Sequence, residues 1–224
     1  MVIQTVPFPI YKVMIFLSIL VGCTYIFLSL KNENKNNKKL ILFFVFYFIF
    51  AIIFGKLYTF IAYGFKTSFF KSSLSSYGGL IGTIIWSIVY EKLYPSEGKV
   101  IKYTVLALPL IYSFTKIGCF FVGCCHGFIY NGPFKVKYPH VSDHYFFPVQ
   151  FLEVIVFFIM FIVCNLNKDK KNIAFITLLL IAISKFLVEF LRDATPINAN
   201  QIFSITLLIV TIIVYIKKNY LTIK

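Results

Sequence analysis

From Tyr103 to Gly127 the chain reads Y-T-V-L-A-L-P-L-I-Y-S-F-T-K-I-G-C-F-F-V-G-C-C-H-G. Up to Val122 the run is apolar and close to the ~20 residues that cross a bilayer core as a helix. Lys116 and Cys119 lie inside it, and a G-C-C-H-G cluster follows where the run gives way to a loop. A charge inside lipid is expensive, so an intramembrane lysine is a functional-site hypothesis by default.

Composition carries this pattern to the whole chain. Its 224 residues are 59% hydrophobic and only 13% charged, where a soluble domain would hold about 25% charge. The apolar residues fall in long runs, so residues 1–224 are expected to form a single all-α integral membrane domain. A net charge of +14 raises the question of nucleic acid. The lysines, however, lie in short blocks between apolar runs, which is a topology signal. The expected surrounding is the lipid bilayer, with no nucleic-acid partner. Lysine outnumbers arginine 21 to 1, a bias under which lysine can stand where related sequences carry arginine.

The five cysteines show no spaced secreted framework. Cys23 and Cys164 fall in mid-span, where small buried thiols are common. Cys119, Cys124, Cys125 and His126 could together bind a metal, as a third reading, but they do not follow a standard zinc spacing, so neither a metal nor a cofactor is expected. A reactive thiol or a Cys124–Cys125 pair stays open. Leu20-Val21-Gly22-Cys23 looks like a lipoprotein cleavage box, but the apolar run continues to Leu30, and a transmembrane helix is expected there.

Apolar runs predict about seven spans: Tyr11–Leu30, Leu40–Tyr63, Tyr77–Leu93, Tyr103–Val122, Val149–Leu166, Ile173–Leu191 and Ile202–Ile216. The first, third and fifth connections and the tail hold thirteen lysines, and the opposite side holds six cationic residues, Lys66 among them. The positive-inside rule therefore puts the N-terminus outside and the C-terminus in the cytoplasm, with 123–148 an extracytoplasmic loop. The expected location is the bacterial cytoplasmic (inner) membrane, crossed many times.

Lys56, Lys116 and Lys185 lie six or seven residues before the outer ends of their spans, about 9–11 Å deep at 1.5 Å per residue. Glu153 is the fifth residue of span five, and Glu189 lies near the outer end of span six. Five ionisable groups thus fall in one layer. Unpaired, they would cost more than ~10 kcal/mol. A Lys–Glu pair at ~4 Å recovers ~4 kcal/mol at an effective dielectric near 20. The layer reads either as an ion-pair network joining helices or as a hydrated pocket for an anion such as a lipid phosphate. Lys185, Glu189 and Arg192 share one face at i, i+4 and i+7. Tyr77, Gly78, Gly79 and Gly82 open span three, as close helix packing or as backbone approach to a ligand. Gln150, Gln201 and Ser204 sit at outer ends of spans.

Together these segments resemble the prolipoprotein diacylglyceryl transferase family. Lys116-Ile-Gly118-Cys119-Phe-Phe-Val-Gly123-Cys124-Cys125-His126-Gly127 is similar to the signature G-R-x-G-N-F-x-N-x-E-x-x-G, and closer to variants of the form G-R-I-G-C-F-x-x-G-C-C-x-G. Tyr77-Gly-Gly-Leu-Ile-Gly82 is similar to H-G-G-L-I-G, and Pro148-Val-Gln150-Phe-Leu-Glu153 to P-x-Q-L-Y-E. Lys185-Phe-Leu-Val-Glu189-Phe-Leu-Arg192 is similar to R-F-x-V-E-F-x-R, with Gln201-Ile-Phe-Ser204 following as G-Q-x-x-S.

The resemblance implies transfer of a diacylglyceryl group from phosphatidylglycerol to the lipobox cysteine thiol of a secreted precursor, releasing glycerol phosphate. It places Lys116 and Lys185 where the family has functional arginines, Glu153 and Glu189 at its carboxylates, and Tyr77 at a histidine. His126, in the 123–148 loop, is a candidate replacement base, against the plainer reading of a solvated loop histidine. Lys56, Gly78, Gly79, Gly118, Cys119, Gly127, Gln150, Arg192 and Gln201 are expected around the substrates. The departures are chemical. Lysine is a point charge rather than a fork, tyrosine is a poor base at neutral pH, and Cys119 and Cys124 replace an asparagine and a glutamate. The alternative is a lipid-binding or transport module of the same descent, or a transferase with another acceptor.

Overall fold

The computed structural model describes residues 1–3, 9–31, 37–62, 64–65, 68–97, 99–192 and 199–223. Tyr63 at the expected end of span two, Lys35 in the first connection, Lys66, the loop residues 193–198 and Lys224 lie outside the described residues.

Among the described residues there are seven α-helices: α1 (Ile10–Lys31), α2 (Asn37–Ala62), α3 (Ser76–Leu93), α4 (Val100–Val122), α5 (Val149–Leu166), α6 (Ile173–Glu189) and α7 (Ala199–Ile223). Over its described residues each of the seven apolar runs is helical, apart from Phe190 and Leu191 at the end of the sixth. Backbone amides inside lipid have only one another as partners, which makes this the stable outcome. Five helices (α1, α2, α4, α5 and α7) are long and apolar enough to cross a membrane. α3 carries Glu91 and Lys92 in its last turn, and α6 has 17 residues that include Lys185 and Glu189. α1 runs unbroken through Leu20–Cys23.

Two boundaries differ from the sequence reading. α6 stops at Glu189 rather than Leu191. Phe190, Leu191 and Arg192 then close i→i−3 turns on Leu187, Val188 and Glu189 at 3.0–3.2 Å. Arg192 therefore leaves the helix instead of continuing the face of Lys185 and Glu189. α7 extends well beyond Ile202–Ile216 at both ends.

The chain forms two compact units, Gly22–Leu108 and Met1–Val21 with Pro109–Lys224. Their boundaries fall inside α1 and, at Pro109, inside α4. In the first unit α2 packs along α3. Trp86 Nε1 donates to Phe43 O at 2.8 Å and Tyr90 OH donates to Lys39 O at 2.9 Å. The rings of Phe43 and Tyr90 meet edge-on at 5.0 Å. A Cβ on Gly78 would strike the Phe54 carbonyl and lie 2.8 Å from Gly55 Cα, so the two backbones meet at that glycine.

In the second unit the 123–148 loop contains a two-stranded antiparallel ribbon, β1 (Val136–Lys137) and β2 (Tyr145–Phe146), with Val136 opposite Phe146. The start of the chain joins it. The Met1 ammonium donates to Lys135 O, Lys137 N–H to Met1 O, and Ile3 N–H to Lys137 O, each at 2.9 Å. Ile3, Val136, Tyr138 and Phe146 form a small core with Phe120 against it. Burial pushes the Tyr138 phenol above its ordinary pKa. The sequence reading treated this segment as a plain loop. Two-residue strands are too short to show as alternation.

Candidate active site

In the second unit, side chains from α4, α5, α6 and the turn after it, and the start of α7 gather into one charged cluster. On α4, Tyr112, Lys116 and Cys119 recur at i, i+4 and i+7 and so share a face. Ser113 Oγ donates to Val154 O at 3.0 Å, which fixes α4 against α5 beside that face. On α5, Gln150 and Glu153 stand one turn apart, both fully buried.

Glu153 is the hub. Its Oε2 lies 2.8 Å from Lys116 Nζ. Arg192 Nη2 lies 2.9 Å from both Oε1 and Oε2, and Tyr112 OH donates to Oε1 at 2.8 Å. Glu153 and Lys116 expose only 2% and 6% of their side chains. A buried carboxylate of this kind is tolerable because charge-assisted bonds compensate its desolvation. Arg192 continues the network, with Nη1 3.2 Å from Glu189 Oε2. Asn200 Nδ2 donates to Glu189 Oε1 at 2.9 Å, bringing in α7. Lys185 Nζ sits 3.5 Å from the centre of the Tyr112 ring, on the π-face a cation favours.

The cluster holds three cations, Lys116, Lys185 and Arg192, against two carboxylates, Glu153 and Glu189. That leaves a formal excess of one positive charge among buried groups, which an incoming anion can neutralise.

The loop completes the surroundings. Gln150 Nε2 donates to Cys124 O at 2.8 Å, tying the end of α4 to the start of α5. Phe128 N–H donates to Leu191 O at 3.1 Å, tying the loop to the turn that carries Arg192. His126 Nδ1 lies 3.0 Å from Gly127 O, and its ring sits 3.9 Å from that of Phe146. A Cβ on Gly127 would lie 2.6 Å from Phe147 O and 2.8 Å from Leu191 O. One on Gly118 would lie 2.9 Å from Met14 Cβ. The space over both glycines is filled by the protein itself. Gln201 is buried at the start of α7. The Cys119, Cys124 and Cys125 sulfurs converge within 4.8 Å of one another, three of the four residues clustered in the sequence without a standard zinc spacing. The three thiols lie within hydrogen-bonding reach of one another, with Lys116 nearby.

Four expected residues belong to the other unit. Lys56 donates to Phe70 O at 2.7 Å. Tyr77 is buried in the first turn of α3, its ring stacked on that of Tyr58 at 5.7 Å, and its N–H donates to the capping Ser75 Oγ. Gly78 packs on α2, while a Cβ on Gly79 would meet only Ala51 O, at 3.8 Å. Two members of the charged cluster were missed in the sequence. Tyr112 could have been found from its i, i+4 relation to Lys116. Asn200 offered only its place beside Gln201.

The profile of the prolipoprotein diacylglyceryl transferases matches residues 1–217. The chain belongs to the prolipoprotein diacylglyceryl transferase family. A relative from Clostridium tetani (strain Massachusetts / E88), named phosphatidylglycerol--prolipoprotein diacylglyceryl transferase, is 25% identical over 156 residues. The match covers 62% of this chain and 61% of that relative's length. Lys116, Glu153 and Arg192, each from a separate segment resembling the family's, meet in direct contact at Glu153.

Proposed function

We propose that this chain transfers a diacylglyceryl group from phosphatidylglycerol to the lipobox cysteine thiol of a secreted precursor. The reaction takes place at the outer leaflet of the cytoplasmic membrane. The bundle crosses seven times, with the N-terminus and the 123–148 loop outside and the C-terminus in the cytoplasm. Family membership supports the chemistry. The hydrogen bonds between residues 1–3 and 135–137 support one shared side for the N-terminus and that loop.

The observation that carries the proposal is the cationic excess around Glu153 and Tyr112. Phosphatidylglycerol brings one phosphodiester charge, which the cluster accepts. Lys116 and Lys185 bind the phosphate oxygens, while Glu153 and Tyr112 hold the two ammonium groups in place. Arg192, anchored on Glu153 and Glu189, fixes the turn that closes the site.

In the reaction the acceptor thiol loses its proton to solvent at the outer face, helped by the cationic field that lowers a thiol pKa. The thiolate sulfur attacks the glyceryl carbon bearing the phosphate ester. A C–S bond forms, the C–O bond breaks, and its electron pair stays on the phosphate oxygen. Glycerol phosphate leaves with an added charge. Fixed cations aimed at that charge stabilise the transition state more than the substrate.

The test is purified protein with labelled phosphatidylglycerol and a lipobox peptide. A thioether-linked lipopeptide and free glycerol phosphate are expected. A folded sample that binds or moves the lipid without consuming it would establish a binding or transport module instead.

A further inference from the structure

We propose that Cys119, Cys124 and Cys125 form a three-thiolate site for a thiophilic metal ion of the zinc class, with a fourth coordination position open to the outside. Their three sulfurs already lie within 4.8 Å of one another. Around an ion with metal–sulfur bonds of about 2.3 Å, tetrahedral ligand sulfurs stand about 3.8 Å apart. The thiols are therefore within a side-chain rotation of coordinating distance.

The backbone is bent in a way that produces this convergence. Neighbouring residues in extended chain point to opposite sides, yet both Cys124 and Cys125 turn toward Cys119. Gly123 and Cys125 both adopt left-handed conformations, with φ of 74° and 56°. For Cys125, which has a Cβ, that conformation is disfavoured and needs the surroundings to hold it. Tyr138 stacks over Gly123 so closely that a Cβ there would lie 2.7 Å from the ring. The Gln150 bond to Cys124 O holds the next residue.

Charge complements the site. Three thiolates and a divalent ion sum to one negative charge. Lys116 acts electrostatically on all three thiols and Arg192 on Cys125. The graded exposure of the ligands, Cys119 buried, Cys124 half-buried and Cys125 exposed, leaves the open position on the solvent side. Water or an incoming soft ligand can fill it.

A disulfide fits less well. Adjacent Cα atoms are about 3.8 Å apart, short of the roughly 4.4–6.8 Å usual for a bridge. Any single bridge would also strand the third sulfur. His126 stands outside the thiol group.

The test uses full-length protein purified anaerobically without chelator and offered Zn²⁺ or Co²⁺. Stoichiometric retention is expected, and the cobalt form should show thiolate-to-metal charge-transfer bands with tetrahedral d–d absorption. Cys119→Ser, Cys124→Ser and Cys125→Ser should each weaken binding by more than the roughly 10–100-fold that loss of an outer-shell partner costs. Cys23→Ser and Cys164→Ser should leave it unchanged. Reduced protein that retains no metal overturns the site, as does a cobalt spectrum without thiolate bands. A disulfide among the three thiols in the anaerobic protein overturns it equally. Should a serine variant fail to fold, the cobalt spectrum of the unaltered protein still decides. None of these readouts depends on the transfer reaction.

Discussion

At Glu153, a single carboxylate accepts from Lys116, Arg192 and Tyr112 in a nearly dry environment. Glu153→Gln keeps the shape but leaves the two cations without their shared partner. Breaking a buried pair from one side costs about 3–5 kcal/mol. Tyr112→Phe removes one charge-assisted hydrogen bond and keeps the ring beneath Lys185, so about 1–2 kcal/mol is expected. Thermal unfolding in detergent should rank the two in that order; equal losses would mean that the hydroxyl matters beyond its bond. Lys116→Ala should lower lipopeptide formation roughly 10²–10³-fold, as loss of one preorganised charge donor does. The protein should still express and fold. A purely structural pair would instead show lost stability with proportionate activity.

The glycine-bearing face of α3 shows how an element reads two ways until its neighbour is known. Gly78 lies against the Phe54 carbonyl of α2, while Gly79, next to it, has room. Gly78→Ala should destabilise by roughly 1–3 kcal/mol as overpacking against an unyielding backbone. Gly79→Ala should be close to neutral. Unfolding curves of the two variants check this, and a stable Gly78→Ala would return that glycine to a ligand-facing role. The same ambiguity affects the end of α6. Spacing put Lys185, Glu189 and Arg192 on one continuous face, but the helix stops at Glu189. Arg192 reaches Glu153 from the turn beyond. Apolarity persists through Phe190 and Leu191, so the sequence carried no sign of that stop.

Across the whole molecule, residues 1–3 pair with the 135–137 segment, and the topology proposed above puts both on the outer side. On a background with the five native cysteines changed to serine, a cysteine introduced by Asp143→Cys should react with an impermeant maleimide on intact cells. One introduced by Asp169→Cys, between α5 and α6, should react only after permeabilisation. The reverse pattern would invert the proposed topology. The helices and the place of Lys116, Glu153 and Glu189 near one another were legible because a bilayer dictates span length and makes each buried charge conspicuous. By itself the sequence determined an apolar helical bundle, its family and its intramembrane ionisable residues. Only the tertiary structure decided which cation Glu153 holds, that Tyr112 joins Lys185 to the cluster, that α6 ends early, and that three thiols converge. Those outcomes depend on contacts between residues distant in the chain, which no local periodicity records.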